Sequence, residues 1–461
     1  MIAKRQKKYK SEVLRQELLT QIFSGELEVG VQLAPVRELC EKYGLSYVTV
    51  VNIIQKLCKD GYLKSHQGKG TVVKSANPES EISKKSCRIL IFEPVISERM
   101  WTSFLKAMPD ICDFYPKFVL HYKSLLEQEN LDFHPDFIYT SDGLVKTMAS
   151  RGILAPLDNS ILKTAGIKLD DYDPKILEML SFNGQLFALP FCFSNLGLFY
   201  NKDIFDKAGL KYPSTEWKWA DLLSAAEKLT VKQKNGRIQH YGFLSGFTKS
   251  NIMSFYMQGL PPELALDNAL KSKRHIDGFR FFLEMLNIRH TAPFLQSGSA
   301  LPVELFLEEN AAMVIYKYSM TRMLSGNKFR WGVAPLPAGN RKHSECAVQG
   351  FGISKTSELG IESGHILKKL CGKEMQDIAL RNFGHLPAYI KSAIKLPHSD
   401  AFISQLPYSQ NIFLNFAENE PKIINLLYKM LIGLILPEDI IGEFAKMQKE
   451  AVEGNKKGGT I

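Results

Sequence analysis

The chain has 461 residues, 45% of them hydrophobic and 23% charged. At about 150 residues per domain this is room for roughly three domains. A chain of this length and composition buries large cores without a disulfide or metal staple, which excludes a disordered or fibrous protein. The net charge of +10 is unevenly spread: residues 1–75 hold 13 Lys/Arg and 7 Asp/Glu, and the rest hold 45 and 41. A small basic head on a nearly neutral body is the footprint of a polyanion-binding domain. The seven cysteines, at 40, 58, 87, 112, 192, 346 and 371, form no CxxC pair. That scatter argues against a disulfide framework or a zinc site, and no metal or cofactor is expected. The opening MIAKRQKKYK has no apolar stretch after its charges, and the longest apolar tract, Ile423–Leu436, is 14 residues long and contains Asn425 and Lys429. Neither a secretory leader nor a membrane span is expected, and the expected location is the cytoplasm.

The head is expected to occupy residues 1–75. Val13, Leu14, Leu18, Ile22 and Phe23 fall at three-to-four spacing and predict a helix from Ser11 to Phe23. A second helix is expected from Pro35 to Tyr43, stopped by Gly44. A third opens at Ser46, a good N-cap, and runs to Asp60, with Val50, Ile54 and Leu57 on its buried face. Tyr62–Lys64 and Thr71–Lys74 read as strands around the turn Gln67-Gly68-Lys69-Gly70. Three helices and a hairpin predict a winged helix-turn-helix, with the third helix in the major groove of double-stranded DNA and the wing on the adjacent backbone.

Across the head stand Gly25-Glu26-Leu27, Gly30, Leu33, Pro35-Val36-Arg37-Glu38-Leu39, Gly44-Leu45-Ser46, Thr49-Val50, Leu57, Gly61 and Gly68-Lys69-Gly70-Thr71-Val72-Val73. In these residues and their spacing the head resembles the GntR family of bacterial transcription regulators. The resemblance implies DNA contacts from Arg37, Ser46, Thr49 and Gly68, and Lys69 adds a cation beside the wing glycines. Where the family usually carries arginines this chain has Tyr47 and Val51, so the operator should demand less guanine and present more thymine methyls.

Residues 76–86 are polar, with one proline, and read as a linker. The body is expected over 87–461. Arg88–Phe92, Phe118–His121 and Asp136–Tyr139 are predicted strands, with a helical stretch near Glu98–Met108 between the first two. Apolar strands alternating with helices predict a parallel α/β body.

From Phe182 to Phe191, Leu198 to Lys202, Trp217 to Leu222 and Tyr241 to Phe243, and again at Phe306–Met313, Trp331–Pro337, Gly350–Ser354 and His385–Pro387, the chain resembles the extracellular solute-binding proteins of sugar ABC importers. That resemblance covers most of 88–400 and implies a two-lobed, type II periplasmic-binding-protein-like fold that closes on a sugar. Such sites stack sugar faces on aromatic rings. The rings expected in the cleft are Trp101, Tyr139, Phe193, Tyr318, Trp331 and Phe351. Asp142 and Glu93 are candidate acceptors for sugar hydroxyls, whereas Trp217 and Trp219 are assigned to lobe packing.

No nucleophile elbow, P-loop, dinucleotide fingerprint or zinc-protease motif is present in the sequence, and the Schiff-base lysine turn of an aminotransferase-like regulator body is missing. The expected function is therefore a non-enzymatic, ligand-responsive DNA-binding regulator that senses a sugar and acts as a homodimer. The alternative is a DNA-binding regulator whose body is a ligand-independent dimerisation or partner-binding scaffold.

Overall fold

The structure is a computed structural model. It describes residues 11, 14–15, 17–18, 21–22, 27–59, 62–66, 70–74, 86–92, 101, 105, 113–119, 134–245, 249–261, 276–285, 301–360, 362–410, 420–443 and 446. The chain separates into two compact units that meet in sequence at Ser86 and Cys87.

The head is built on α1 (helical at every described position between 11 and 22), α2 (Val36–Tyr43), α3 (Tyr47–Lys59) and the antiparallel strands β1 (Leu63–His66) and β2 (Gly70–Val73). Pro35 precedes α2, and Gly44, at φ 59, ends it by donating its N–H to the Cys40 carbonyl. Only a residue at ease in the left-handed region turns the chain this sharply into α3. Ser46 caps α3, its Oγ accepting the Thr49 N–H at 3.4 Å. Leu14, Leu18 and Ile22 of α1, Leu39 of α2, and Val50, Ile53, Ile54 and Leu57 of α3 share one core with Leu33, Leu63 and Val73. One element goes beyond the expectation. Residues 30–33 lie along β2, with Gly30 N donating to Val73 O, Val73 N to Val31 O and Leu33 N to Thr71 O, an antiparallel bridge between Gln32 and Val72 beside the two-stranded wing.

The body holds β3 (Ser86–Phe92), β4 (Asp113–Val119), β5 (Phe137–Ser141), α4 (Asp142–Ser150), α5 (Asn159–Ala165), α6 (Pro174–Met179) and β6 (Ala188–Asn201). These are followed by α7 (Lys202–Lys207), α8 (Trp219–Leu229), β7 (Leu244–Ser245), α9 (Lys249–Gln258), α10 (Asp277–Leu283), β8 (Met313–Lys317), β9 (Trp331–Ala334) and β10 (Ser344–Ser354). The sheet runs β7-β8-β6-β10-β5-β3-β4, with β9 also paired to β6.

The expectation of a parallel sheet is corrected. β3 and β5 are parallel, as are β7 and β8, but β6 is antiparallel to β8, β9 and β10, and β10 is antiparallel to β5. The two longest strands, β6 and β10, pair antiparallel with each other and with strands far from them in the chain, β6 with strands that begin at Met313 and Trp331 and β10 with Phe137–Ser141, so alternation of strands and helices in the sequence does not report their direction. The second strand is also displaced. It spans Asp113–Val119 and contains Pro116, where the sequence suggested Phe118–His121. β4 ends the strand order, and an edge position tolerates the donor that proline lacks. Of the helix expected near Glu98–Met108, Trp101 and Leu105 are helical and the other positions lie outside the described residues.

All 14 residues of β6 are buried, and its partners change along its length. Ala188–Asn195 pairs with β10, with a register shift beside Pro190, and Leu196–Asn201 pairs with β8 and β9. One strand thus links the two parts of the sheet, β7, β8 and β9 on one side and β10, β5, β3 and β4 on the other. Among the described residues no helix is long and apolar enough to cross a membrane, and no group of His, Cys, Asp and Glu could hold a metal.

Two consequences for stability follow. Helices α9 and α10 approach so closely that a Cβ on Gly278 would collide with the Phe255 carbonyl, and Tyr256 stacks on Phe279 at 4.5 Å. Gly278→Ala should cost about 1–3 kcal/mol, read as a lower melting temperature of the body; an unchanged value would mean the two helices separate freely. His343 is 2% exposed, and burial, aided by Arg341 and Lys175, lowers its pKa to about 3. The unfolded imidazole takes up a proton near pH 6.5, so the stability tied to the neutral buried ring is intact above that pH. It is lost as pH falls from there toward the folded value, by up to about 1.4 kcal/mol per unit. Denaturant titrations of wild type and His343→Gln between pH 8 and 5 should show a steeper loss in the wild type; equal slopes would show that the ring is solvated.

Candidate functional site

The head presents the solvent side of α3. Its buried positions, Val50, Ile53, Ile54 and Leu57, leave Tyr47, Val48, Asn52, Gln55 and Lys56 exposed on the other side, with Thr49 and Val51 half-buried. Tyr47 is 59% exposed and Val48 67%. Arg37 of α2 is exposed, and so is Ser46, whose hydroxyl lies 2.7 Å from that of Thr49. Ser46 and Thr49 are therefore partly committed to capping α3. Lys42, also on α2, is held by Glu17 at 3.0 Å. Gly68 and Lys69 lie outside the described residues, although His66 and Gly70 on either side of them are exposed and paired. The sequence reading missed Val48, Asn52 and Gln55, which helical periodicity alone would have placed on the side opposite Val50, Ile54 and Leu57.

In the body, four of the six expected rings are core. Trp101, Tyr139, Phe193 and Phe351 are each fully buried. Tyr139 sits 4.4 Å from Trp101, 5.0 Å from Phe351 and 6.0 Å from Phe191, and its hydroxyl donates to Gln349 Oε1 at 2.9 Å. Phe193, opposite Val348 in the sheet, is walled in by neighbouring strands. No face of these four rings is open to a ligand in this structure. A position beside an apolar strand, or in a motif near one, also favours burial. Tyr318 is 6% exposed and donates its hydroxyl to the Pro397 carbonyl at 3.1 Å. Trp331, on β9, is half-buried, 6.1 Å from Phe199 and 4.5 Å from the His398 ring. It is the expected ring with the most open surface. Trp219 stacks on Phe281 at 4.5 Å and donates to Gln258 Oε1 at 2.7 Å, and Trp217 lies 6.3 Å from Phe205. Glu93 lies outside the described residues.

The polar groups gather instead where β6 changes partner. Asn195 stands opposite Cys346 and donates Nδ2 to the Phe402 carbonyl at 2.8 Å. Gln405 ties this point down, donating Nε2 to Leu196 O at 2.8 Å and accepting Leu336 N at 3.1 Å. Asp142 opens α4 directly after β5, is fully buried, and accepts the Val348 N–H through Oδ1 at 3.1 Å. Burial pushes the Cys346 thiol far up, and the charges of Asp142, Glu345 and Asp173 push it further. His343, one residue before β10, feels the cations Arg341 and Lys175. Positions 142, 173–175, 195 and 343–346 thus form one charged and polar seam. Asn195 Oδ1 and His343 Nε2 are buried there without a hydrogen-bond partner among the described residues. Of these residues the sequence pointed only to Asp142. No local pattern signals the others, because the sheet topology alone brings them together.

Comparison with known proteins agrees with this division. Residues 10–73 match the gntR family of bacterial regulatory proteins, and residues 132–359 match bacterial extracellular solute-binding proteins. A Brucella abortus protein named provisionally as a binding protein is 25% identical over 250 residues, 51% of this chain and 58% of that protein. An Escherichia coli protein named provisionally as the transcriptional repressor of a fructoselysine utilization operon is 39% identical over 69 residues, 15% of this chain and 28% of its own length. The chain therefore spans little more than half of the first relative and under a third of the second. Among solved structures, an ABC substrate-binding protein from Listeria monocytogenes in complex with cycloalternan superposes with a TM-score of 0.64 at 21% identity, covering 80% of this chain and 100% of that one. The sugar-binding protein MalE from Xanthomonas citri gives 0.64 at 18% identity, covering 80% and 98%. The body has the two-lobed fold of these binding proteins, and the chain joins a winged helix-turn-helix that matches the gntR family of bacterial regulatory proteins to a domain that matches bacterial extracellular solute-binding proteins.

Proposed function

We propose that the chain is a one-component transcription regulator whose head binds an operator and whose body binds a carbohydrate without turning it over. The observation that carries this reading is the open face of α3, a recognition helix with nothing packed on it among the described residues, joined in one chain to a two-lobed body. The buried acceptors Asn195 Oδ1 and His343 Nε2, with Asp142 and Glu345 beside them, are groups that ligand hydroxyls would satisfy. Trp331 is the ring on which a sugar face would stack. Because β6 links the two parts of the sheet, ligand would favour one lobe arrangement and bias DNA binding through it. Heads of this type read near-palindromic sites as two-fold dimers, and the proposal includes a homodimer. It also places the protein in the cytoplasm, with DNA and a sugar as its partners, the head over 1–75 and the body over 87–461.

Arg37→Ala should weaken binding to operator and random DNA alike and reduce the salt slope by about 1, seen in electrophoretic titrations at several salt concentrations. An unaltered titration would remove α2 from the interface. A panel of sugars screened by melting temperature should find one class that raises it, as binding to the native state must. That sugar should change DNA affinity by about 1–3 kcal/mol, with the reciprocal effect of DNA on sugar affinity. Trp331→Ala should lose both effects while its DNA binding without sugar stays as in wild type. Equal DNA affinity with and without a bound sugar would reduce the body to a scaffold, and product formed from the sugar would make it an enzyme.

A further inference from the structure

The exposed side of α3 is chemically unusual for a surface that must meet a polyanion. From Tyr47 to Gln55 the helix carries no charged residue, and Lys56 is its first exposed cation. What it offers is two large apolar side chains, Tyr47 at 59% and Val48 at 67% exposure, and two exposed side-chain amides, Asn52 and Gln55. Val48, half-buried Val51, Asn52 and Gln55 follow one another at intervals of three, one and three residues, so they lie along one side of the helix. From Val48 to Gln55 the axis rises about 10 Å, which matches roughly three base-pair steps of 3.4 Å.

The major groove offers each base pair a distinct set of partners. Asparagine and glutamine fit the N6 and N7 edge of adenine with two hydrogen bonds, and apolar groups fit the thymine methyl, whereas guanine is met best by arginine or lysine. A face with two amides, exposed apolar groups and no cation before Lys56 is complementary to A·T pairs. We infer that Asn52 and Gln55 each hold an adenine edge while Tyr47 and Val48 cover neighbouring thymine methyls, so that the half-site under α3 is an A·T run of about three or four pairs. Asn52 and Gln55 are separated by one helical turn, a rise of about 4.5 Å, and so address adjacent or next-adjacent pairs. This inference rests on the proposed DNA binding, and it assigns base choice to residues other than Arg37, Ser46 and Thr49. The cations Arg37, Lys56, Lys64 and Lys74, all exposed, then supply affinity that is indifferent to sequence.

The test is selection of the full-length chain against random duplex DNA, followed by titration of the selected site. Wild type should enrich half-sites with consecutive A·T pairs and no fixed guanine under α3. Asn52→Ala and Gln55→Ala should each relax the preference at one position, the two positions being neighbours, with losses on the order of tenfold for the selected site and little change for random DNA. Asn52→Asp should move the preference at its position toward cytosine, whose N4 amine donates to a carboxylate, a change that damage to the fold would not produce. Enrichment of a guanine-containing half-site that persists in both alanine variants would overturn the assignment while leaving the regulator reading intact. Equal losses on selected and random DNA would overturn it too, by making the amides phosphate contacts. Failure to enrich any sequence over random DNA would overturn both.

Discussion

Strand β6 has to satisfy two different sets of partners within one sheet, and the architecture of the body follows from that. A strand buried along its entire length has no water to accept its amides, so every N–H and C=O must find a partner. Residues 188–195 find theirs in β10, and residues 196–201 find theirs in β8 and β9. At Pro190 there is no N–H to donate, and the register slips beside it. At the junction, side chains take over where the ladders change: Asn195 reaches the Phe402 carbonyl, and Gln405 holds Leu196. The charged seam sits at this junction because the backbone there is shared and the ends of β5 and β10 converge on it. A site built at such a point is sensitive to any relative movement of the two parts of the sheet.

The head and the body differ in how openly the sequence declares them, for a physical reason. The head's contacts are local. The stripe Leu14, Leu18, Ile22, the cap at Ser46 and the left-handed Gly44 each act within a turn or two of themselves, so the limits of α2 and α3 fall within a residue of expectation. What the sequence hid in the head was the pairing of residues 30–33 with β2, a contact across about 40 positions. In the body nearly every decisive contact is of that kind. Apolar runs announced β3 and β5, but no residue near β6 says that its partners lie more than a hundred positions downstream and run the other way.

The aromatic residues carry the same lesson for function. A ring placed after an apolar strand can face a cleft or complete a core, and the sequence is identical in both cases. Trp101, Tyr139 and Phe351 complete a core, where edge-to-face contacts at 4.4 and 6.2 Å give the rings their place. Asp142 was legible because an acid at the start of a helix after a strand is recognisable locally. Its companions Glu345, Asp173 and His343 were not, since their significance lies in a neighbourhood that only the folded sheet creates. On α3 the reverse holds: Asn52 and Gln55 are legible from periodicity alone, opposite the buried Val50, Ile54 and Leu57.

The reach of β6 also bears on the order in which the molecule is made. Its partners β8, β9 and β10 begin at Met313, Trp331 and Ser344, and the junction is fastened by Phe402 and Gln405. The body therefore cannot close its sheet until most of the chain has left the ribosome, and such long-range pairing is slow. The core of the head, among the described residues, ends at Val73. At synthesis rates of about 5–20 residues per second, a folded head precedes a finished body by tens of seconds. A nascent or prematurely ended chain would thus already carry α3 and the core beneath it while lacking the closed sheet of the body.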